Sequence, residues 1–90
     1  MATIRIPTPL RPYTNGQSDL NVSGQTIGQV LDSLVQQYPA LRVHIFNEDG
    51  ELRPFVNLFI GEDNINDLQG THTPVKEEDR ILLIPSIAGG

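Results

Sequence analysis

From Thr3 to Ile6 polar and apolar residues alternate, which predicts a strand with Ile4 and Ile6 facing a core and Thr3 and Arg5 facing away. Pro7, Pro9 and Pro12 then withhold N–H groups that a ladder needs, and they predict a stiff, extended connection. Asn15-Gly16 suits positive φ and predicts a chain reversal. Ser18 to Val22 reads as a second strand with Leu20 and Val22 inward, completing an N-terminal hairpin with a long, proline-stiffened link.

The pattern then changes period. Ile27, Val30, Leu31, Leu34, Val35 and Tyr38 recur at the spacing of one buried helical face. Thr26-Ile27-Gly28-Gln29 reads as a capping box, Thr26 accepting from the backbone and Gln29 reaching back, and Pro39 ends the helix. Gly28 weakens the first turn by up to ~1 kcal/mol relative to Ala, and close packing on a strand is one reason to keep it.

Leu41 to Phe46 suits either a strand or a short second helix opened by Pro39, with an irregular helical turn the preferred reading, and Asn47 to Gly50 is a turn. Phe55 to Ile60 predicts a strand with Val56, Leu58 and Ile60 on one face and Phe55, Asn57 and Phe59 on the other. Asn64 to Pro74 suggests a short edge strand and a loop, and Arg80 to Ile84 a final strand stopped by Pro85. The order β-β-α-β-(β)-β gives an α+β fold, a mixed sheet of four or five strands on one main helix, within a single domain spanning 1–90. Ile81, Leu82, Leu83 and Ile84 are apolar towards both faces, as in a strand covered on both sides. The helix covers one face. Over the other, either the proline-rich loop or residues 41–53 fold down, or Leu82 and Ile84 join Phe59 in an apolar patch that awaits a partner.

Composition narrows the functions available. Ninety residues suit one small domain, and the absence of cysteine excludes disulfides, zinc knuckles, iron–sulfur sites and a thiol nucleophile. Eleven Asp and Glu against six Lys and Arg leave a net charge of −5, which argues against nucleic acid as a partner. The acids gather at Glu48-Asp49-Glu51, Glu62-Asp63 and Glu77-Glu78-Asp79, beside turn residues, as solvated loops or as a surface that steers towards a basic partner. No apolar run approaches a membrane span and no signal peptide precedes the first strand, so a cytoplasmic protein without a membrane partner is expected.

The candidate chemistry lies in the tail Pro85-Ser86-Ile87-Ala88-Gly89-Gly90, expected to project flexibly from the last strand. Without Cβ atoms, a Gly-Gly carboxylate threads a narrow slot and approaches a bound nucleotide closely. Its ionised oxygen can attack the α-phosphate of ATP once a partner supplies metal and cationic groups. The resulting acyl adenylate is open to sulfur or to an amine, and this route needs no catalytic side chain from the chain itself.

The first hairpin, the helix from Thr26 to Tyr38, the strand Phe55-Val56-Asn57-Leu58-Phe59 and the Gly89-Gly90 ending together resemble the ubiquitin-like sulfur carriers of the MoaD/ThiS family. The stretch Ile6 to Gln17 is similar to the loop of the CysO-type carriers of cysteine biosynthesis. The resemblance implies a β-grasp fold and a protein that is a co-substrate and not an enzyme. An E1-like adenylyltransferase and sulfurtransferase of the MoeB/ThiF type would use ATP and magnesium to convert Gly90 to a thiocarboxylate. A PLP-dependent cysteine synthase of the CysM type would then transfer the sulfur to O-phosphoserine, and a zinc-dependent JAMM-type peptidase would release cysteine. The cofactors thus belong to the partners, with none bound by this chain. Gly90 would carry the reactive group, Gly89 and Ala88 would give access, and Phe59, Leu82, Ile84, Pro85 and Ile87 would meet the partner. Alternatives within the resemblance are the small subunit of molybdopterin synthase, a carrier for thiamin or tRNA thiolation, and a modifier joined to lysines.

Other signals carry less. His44 and His72 lack partners at metal-ligand spacing. Ser33, Thr14 and Ser86 lack a base and orienting acid, and Gly24 and Gly28 come without a Walker pattern. Asn21-Val22-Ser23 matches a glycosylation sequon that a cytoplasmic chain would not use. Arg11 and Arg53, beside prolines, are expected in solvent or in partner salt bridges.

Overall fold

The computed structural model describes residues 1–54 and 56–85, with the backbone alone at Pro85. Five strands form one mixed sheet: β1 (Ala2–Arg5), β2 (Asp19–Val22), β3 (Val56–Ile60), β4 (Asp63–Asn64) and β5 (Arg80–Pro85). Their order is β2-β1-β5-β3-β4, with β1 and β5 parallel at the centre and every other pair antiparallel. The long helix α1 (Ile27–Gln37) and the single turn α2 (Arg42–Ile45) complete the regular structure with several short 3₁₀ segments.

Period and register together explain this layout. Ile4 lies between Leu20 and Ile81, and Leu58 lies opposite Leu83, so one face of the sheet is a continuous row of buried aliphatics. Onto it α1 lays Ile27, Val30, Leu31, Leu34 and Val35, all buried, as its 3.6-residue spacing predicts. Each fully buried Leu or Ile contributes about 1.5–3 kcal/mol of transfer free energy. Leu41 and Ile45 extend the same core, which is why residues 39–45 fold helically: a 3₁₀ turn Pro39–Leu41 runs into α2.

At the start of α1, Thr26 is extended and its Oγ1 accepts from the Gln29 N–H at 3.2 Å. The return bond departs from the capping-box expectation: Gln29 Oε1 accepts from the Gln25 N–H (2.8 Å), one residue earlier than the motif predicts. Thr26 is held extended by a bridge to Pro74, flanked by two backbone bonds, Ile27 donating to Thr73 and Val75 to Gln25. Gly28 does approach a neighbour closely, yet the neighbour is no strand. A Cβ there would lie 3.3 Å from the carbonyl oxygen of Thr71, in the 3₁₀ turn Gly70–His72.

Three further expectations are corrected. The proline-rich link is a 3₁₀ helix, Thr8–Thr14, and not an extended segment. Proline's fixed φ matches 3₁₀ geometry as well as extended chain. Burial of Leu10 and the bond from Arg11 Nε to the Ile6 carbonyl (3.1 Å) select the coiled form. Asn15 (φ 58°) and Gly16 (φ 82°) then reverse the chain as expected. The edge strand β4 begins at Asp63 and so includes one residue of an acidic group assigned to loops. Finally, β5 does not stop before Pro85, which pairs with Val56. The Val56 N–H already donates to Arg53 (3.0 Å), so this last pair sits at a non-hydrogen-bonded position, where proline forfeits no bond to β3.

Candidate functional site

The outer face of the sheet, away from α1, is set by alternation. Along β5, Ile81 and Leu83 point into the core while Leu82 and Ile84 are 37% and 44% exposed. Register places Phe59 and Arg5 on either side of Leu82, and Asn57 opposite Ile84. Phe59, Leu82 and Ile84 thus form an apolar strip on β3 and β5, uncovered among the described residues. Among the described residues β5 is therefore covered on one side, not two. The core answers the alternative cover: Leu10, Leu41 and Ile45 are buried in it and Phe46 and Leu52 pack against it, which draws the proline-rich segment and residues 41–52 to the helix side.

Next to the strip the face turns polar. Thr3 lies opposite Asn21 and Arg80, and Arg5 opposite Asp19. One carboxylate serves two cations here: Asp19 is 3.5 Å from Arg5 and 3.7 Å from Arg80. Both pairs are well exposed, so each contributes at most about 1 kcal/mol, and less after solvent screening. Two arginines and the carboxylate they share thus border the apolar strip. The outward pointing of Arg5 was legible from alternation. Its convergence with Asp19 and Arg80 depends on strand register, which pattern alone does not supply.

Of the site residues expected from sequence, Phe59, Leu82 and Ile84 are brought together. The backbone of Pro85 continues the same strand. Ile87, Ala88, Gly89 and Gly90 lie outside the described residues, as do Phe55 and Ser86.

The side chains weighed as nucleophiles have structural partners. The buried Thr14 hydroxyl lies 3.1 Å from the Arg11 carbonyl and 2.9 Å from that of Gln17, and its one proton serves either. Ser33 donates to the Ser23 carbonyl at 2.8 Å. His44 stacks on Tyr13 with ring centroids 4.5 Å apart. Arg11 and Arg53 are half-buried, and each donates Nε to a carbonyl of its own chain, Arg11 to Ile6 at 3.1 Å and Arg53 to Val43 at 2.8 Å. Among the described residues no three His, Cys, Asp or Glu come close enough to hold a metal ion, and no helix is long and apolar enough to cross a membrane.

A mixed five-stranded sheet wrapped on one long helix, with its central parallel pair formed by the first and last strands, is the ubiquitin-like β-grasp architecture. The family model described as "ThiS family" matches residues 4–90, and the chain belongs to that family. It is 32% identical over 90 residues to the sulfur carrier protein CysO of Mycobacterium tuberculosis, covering 98% of this chain and 97% of that protein. A chain in the crystal structure of the Amycolatopsis orientalis BexX/CysO complex superposes with a TM-score of 0.90 at 26% identity, with full coverage of both. The small archaeal modifier protein 1 of Methanosarcina acetivorans follows the same fold with a TM-score of 0.86 at 34% identity, covering 99% of this chain and 95% of that one. Sulfur carriers and ubiquitin-like modifiers are thus the functional company this chain keeps.

Proposed function

We propose that this protein is a sulfur carrier whose Gly90 carboxylate is adenylated by an E1-like enzyme with ATP and magnesium, then converted to a thiocarboxylate. The observation that carries the reading is the extent of the family match: it runs to Gly90, and the similarity to a sulfur carrier spans 97% of that relative. The chemistry is asked of the tail and of the partner. The carboxylate oxygen attacks the α-phosphate of ATP and pyrophosphate leaves; a sulfur donor then displaces AMP from the acyl carbon. Gly89 and Ala88 keep the approach narrow, and the strip of Phe59, Leu82 and Ile84 holds the sheet against the enzyme while the tail is threaded. The chain contributes position and the electrophilic acyl carbon, AMP is the group that leaves, and the catalytic groups belong to the partner.

The acceptor we favour is O-phosphoserine, through a PLP-dependent synthase, with a zinc-dependent peptidase then removing cysteine from the carrier, all in the cytoplasm. The identity to CysO and the superposition on a chain of the BexX/CysO complex support a carrier of this kind. The similarity to a small archaeal modifier favours a second reading, in which the activated Gly90 is passed to a lysine of another protein.

The intact mass of the protein isolated from its own host separates the two. Replacement of one carboxylate oxygen by sulfur, or a cysteine added at Gly90, is expected. Gly90 found only in isopeptide linkage to other proteins would put the modifier reading in its place.

A further inference from the structure

The carrier reading puts an electrophilic acyl carbon and the chain's own nucleophiles on one molecule. An amine that reached the adenylate first would end the cycle. Its nitrogen bonds to the acyl carbon, AMP leaves, a proton goes to solvent, and a stable amide stands where sulfur was due. A thiol would divert the acyl group likewise. A tethered lysine competes at an effective concentration of about a millimolar or more, however dilute the protein. The placement of amines and thiols relative to the tail therefore decides whether the activated acyl group survives.

The chain has no cysteine, and of its six Lys and Arg residues five are arginines. The guanidinium stays protonated and is no nucleophile at neutral pH, so Lys76 carries the one side-chain amine. Lys76 is exposed and opens a turn that is closed twice. Its N–H donates to Asp79 Oδ2 (2.8 Å), and the Asp79 N–H donates to its carbonyl (3.1 Å). Thr3 donates to the Asp79 carbonyl, and the residues on either side of the lysine, Val75 and Glu77, line a shallow hollow with Met1, Ala2 and Val22. β1 and β5 run parallel with Thr3 beside Arg80, so Lys76 and the amine of Met1 both lie where β5 begins. The tail leaves where β5 ends.

The strand holds these two ends apart. From Arg80 to Pro85 it rises about 17 Å. Five residues follow Pro85. Even reversed at once through a two-residue turn, they would return Gly90 only to the level of Leu83, about 10 Å short of Arg80. That gap exceeds the span of an extended lysine side chain. The cations at the tail's own end differ in kind. Arg53 accepts at its carbonyl from Val56, the residue paired with Pro85, and donates Nε to Val43; Arg42 shares a hollow with both Arg53 and Val43. Neither can be acylated. The imidazole of His44, next to Val43, lies against Tyr13 and forms no lasting amide.

We propose that this placement is a protective device. With its amines confined to the start of β5 and arginine alone among the cations at the tail's end, the chain keeps an activated Gly90 from acylating itself. The acyl carbon is left to sulfur, or to an acceptor that a partner presents. The inference rests on the reading of Gly90 as the group that becomes activated.

The test uses a Gly90 thioester made by intein cleavage with a small thiol, which activates the acyl group without the activating enzyme. Wild type is compared with Arg53→Lys and Asn57→Lys, which place an amine beside Val56 and Ile84, and the folds are checked by thermal melting. At mildly alkaline pH the amine attacks the acyl carbon, the thiol leaves, and the product is a monomer lighter than the hydrolysed carrier by one water. Both variants are expected to lose thioester by this route about tenfold or more faster than folded wild type, at a rate independent of protein concentration. In concentrated urea wild type should close too, at Lys76, since the fold is what separates that amine from the tail. Three outcomes would overturn the device: closure of folded wild type at Lys76 or Met1, folded variants that hydrolyse without closing, or wild type that fails to close in urea. ATP–pyrophosphate exchange by the host's activating enzyme tests the underlying reading separately. Absence of exchange with wild-type protein would remove Gly90 as the adenylated group, and would leave the result of the thioester comparison as it stands.

Discussion

Gly24 and Gly28 look alike in the sequence, two small residues around a helix start, yet they perform different tasks. Gly24 has φ 149°, and a Cβ there would lie 2.7 Å from the amide nitrogen of Val30 and 2.9 Å from the carbonyl carbon of Gln29. Both are backbone atoms of α1 and cannot move aside as a side chain would. Gly24→Ala is therefore expected to cost about 1–3 kcal/mol, read as a lower urea midpoint at unchanged slope. At Gly28 a methyl would meet the Thr71 carbonyl at 3.3 Å, which a short loop accommodates by a small shift. The gain in helix propensity, up to about 1 kcal/mol, opposes that strain. Gly28→Ala is expected to remain within about 1 kcal/mol of wild type in the same urea titration. Sequence flagged Gly28 as a point of close approach and missed Gly24 as one, because the demand at Gly24 comes from how the β2–α1 connection lies across the helix.

Elements whose evidence is periodic were legible, and those whose evidence is tertiary were not. α1 declares itself through six spaced apolar residues and a Thr cap, and β1, β2, β3 and β5 lie within a residue or so of the expected strands. The 3₁₀ helix Thr8–Thr14 was read as extended because local rules for proline allow both forms, and the choice falls to Leu10, whose burial depends on the rest of the fold. The same limit applies to Pro85: proline interrupts a ladder only where a bond is due, and that depends on which pairs with β3 are hydrogen-bonded. The cap of α1 is a direct test at this scale. Thr26→Ala removes the acceptor of the Gln29 N–H but leaves the Gln25–Gln29 bond in place. A loss of about 1 kcal/mol in chemical denaturation is expected, with native-state exchange quickened in the first turn of α1.

On the scale of the whole molecule, the core and the proposed docking strip lie on opposite faces of the sheet. The apolar residues that hold the fold point towards α1, whereas Leu82 and Ile84 project from the same strand into solvent. The open strip was legible because β5 is apolar at every position from Ile81 to Ile84 although the chain supplies one long helix; the border where Arg5 and Arg80 share Asp19 was not, since it needs the register of three strands. If the proposed docking strip and Gly90 act as we propose, docking and chemistry are independently removable. Truncating Leu82 and Ile84 to Ala takes away exposed side chains, so the melting temperature should barely change, while affinity for the activating enzyme falls about tenfold or more by calorimetry. Appending one alanine after Gly90 leaves the sheet face intact, so binding should persist, yet the carboxylate is displaced from the position where the α-phosphate would be attacked. Adenylation should then be lost although affinity is retained. If the extended protein were adenylated and loaded with sulfur as wild type is, the reactive group would not be the Gly90 carboxylate, and the tail's two glycines would need another explanation. If instead the Leu82 and Ile84 variant bound as tightly as wild type, the outer face would be excluded as the principal contact, whatever the fate of the tail.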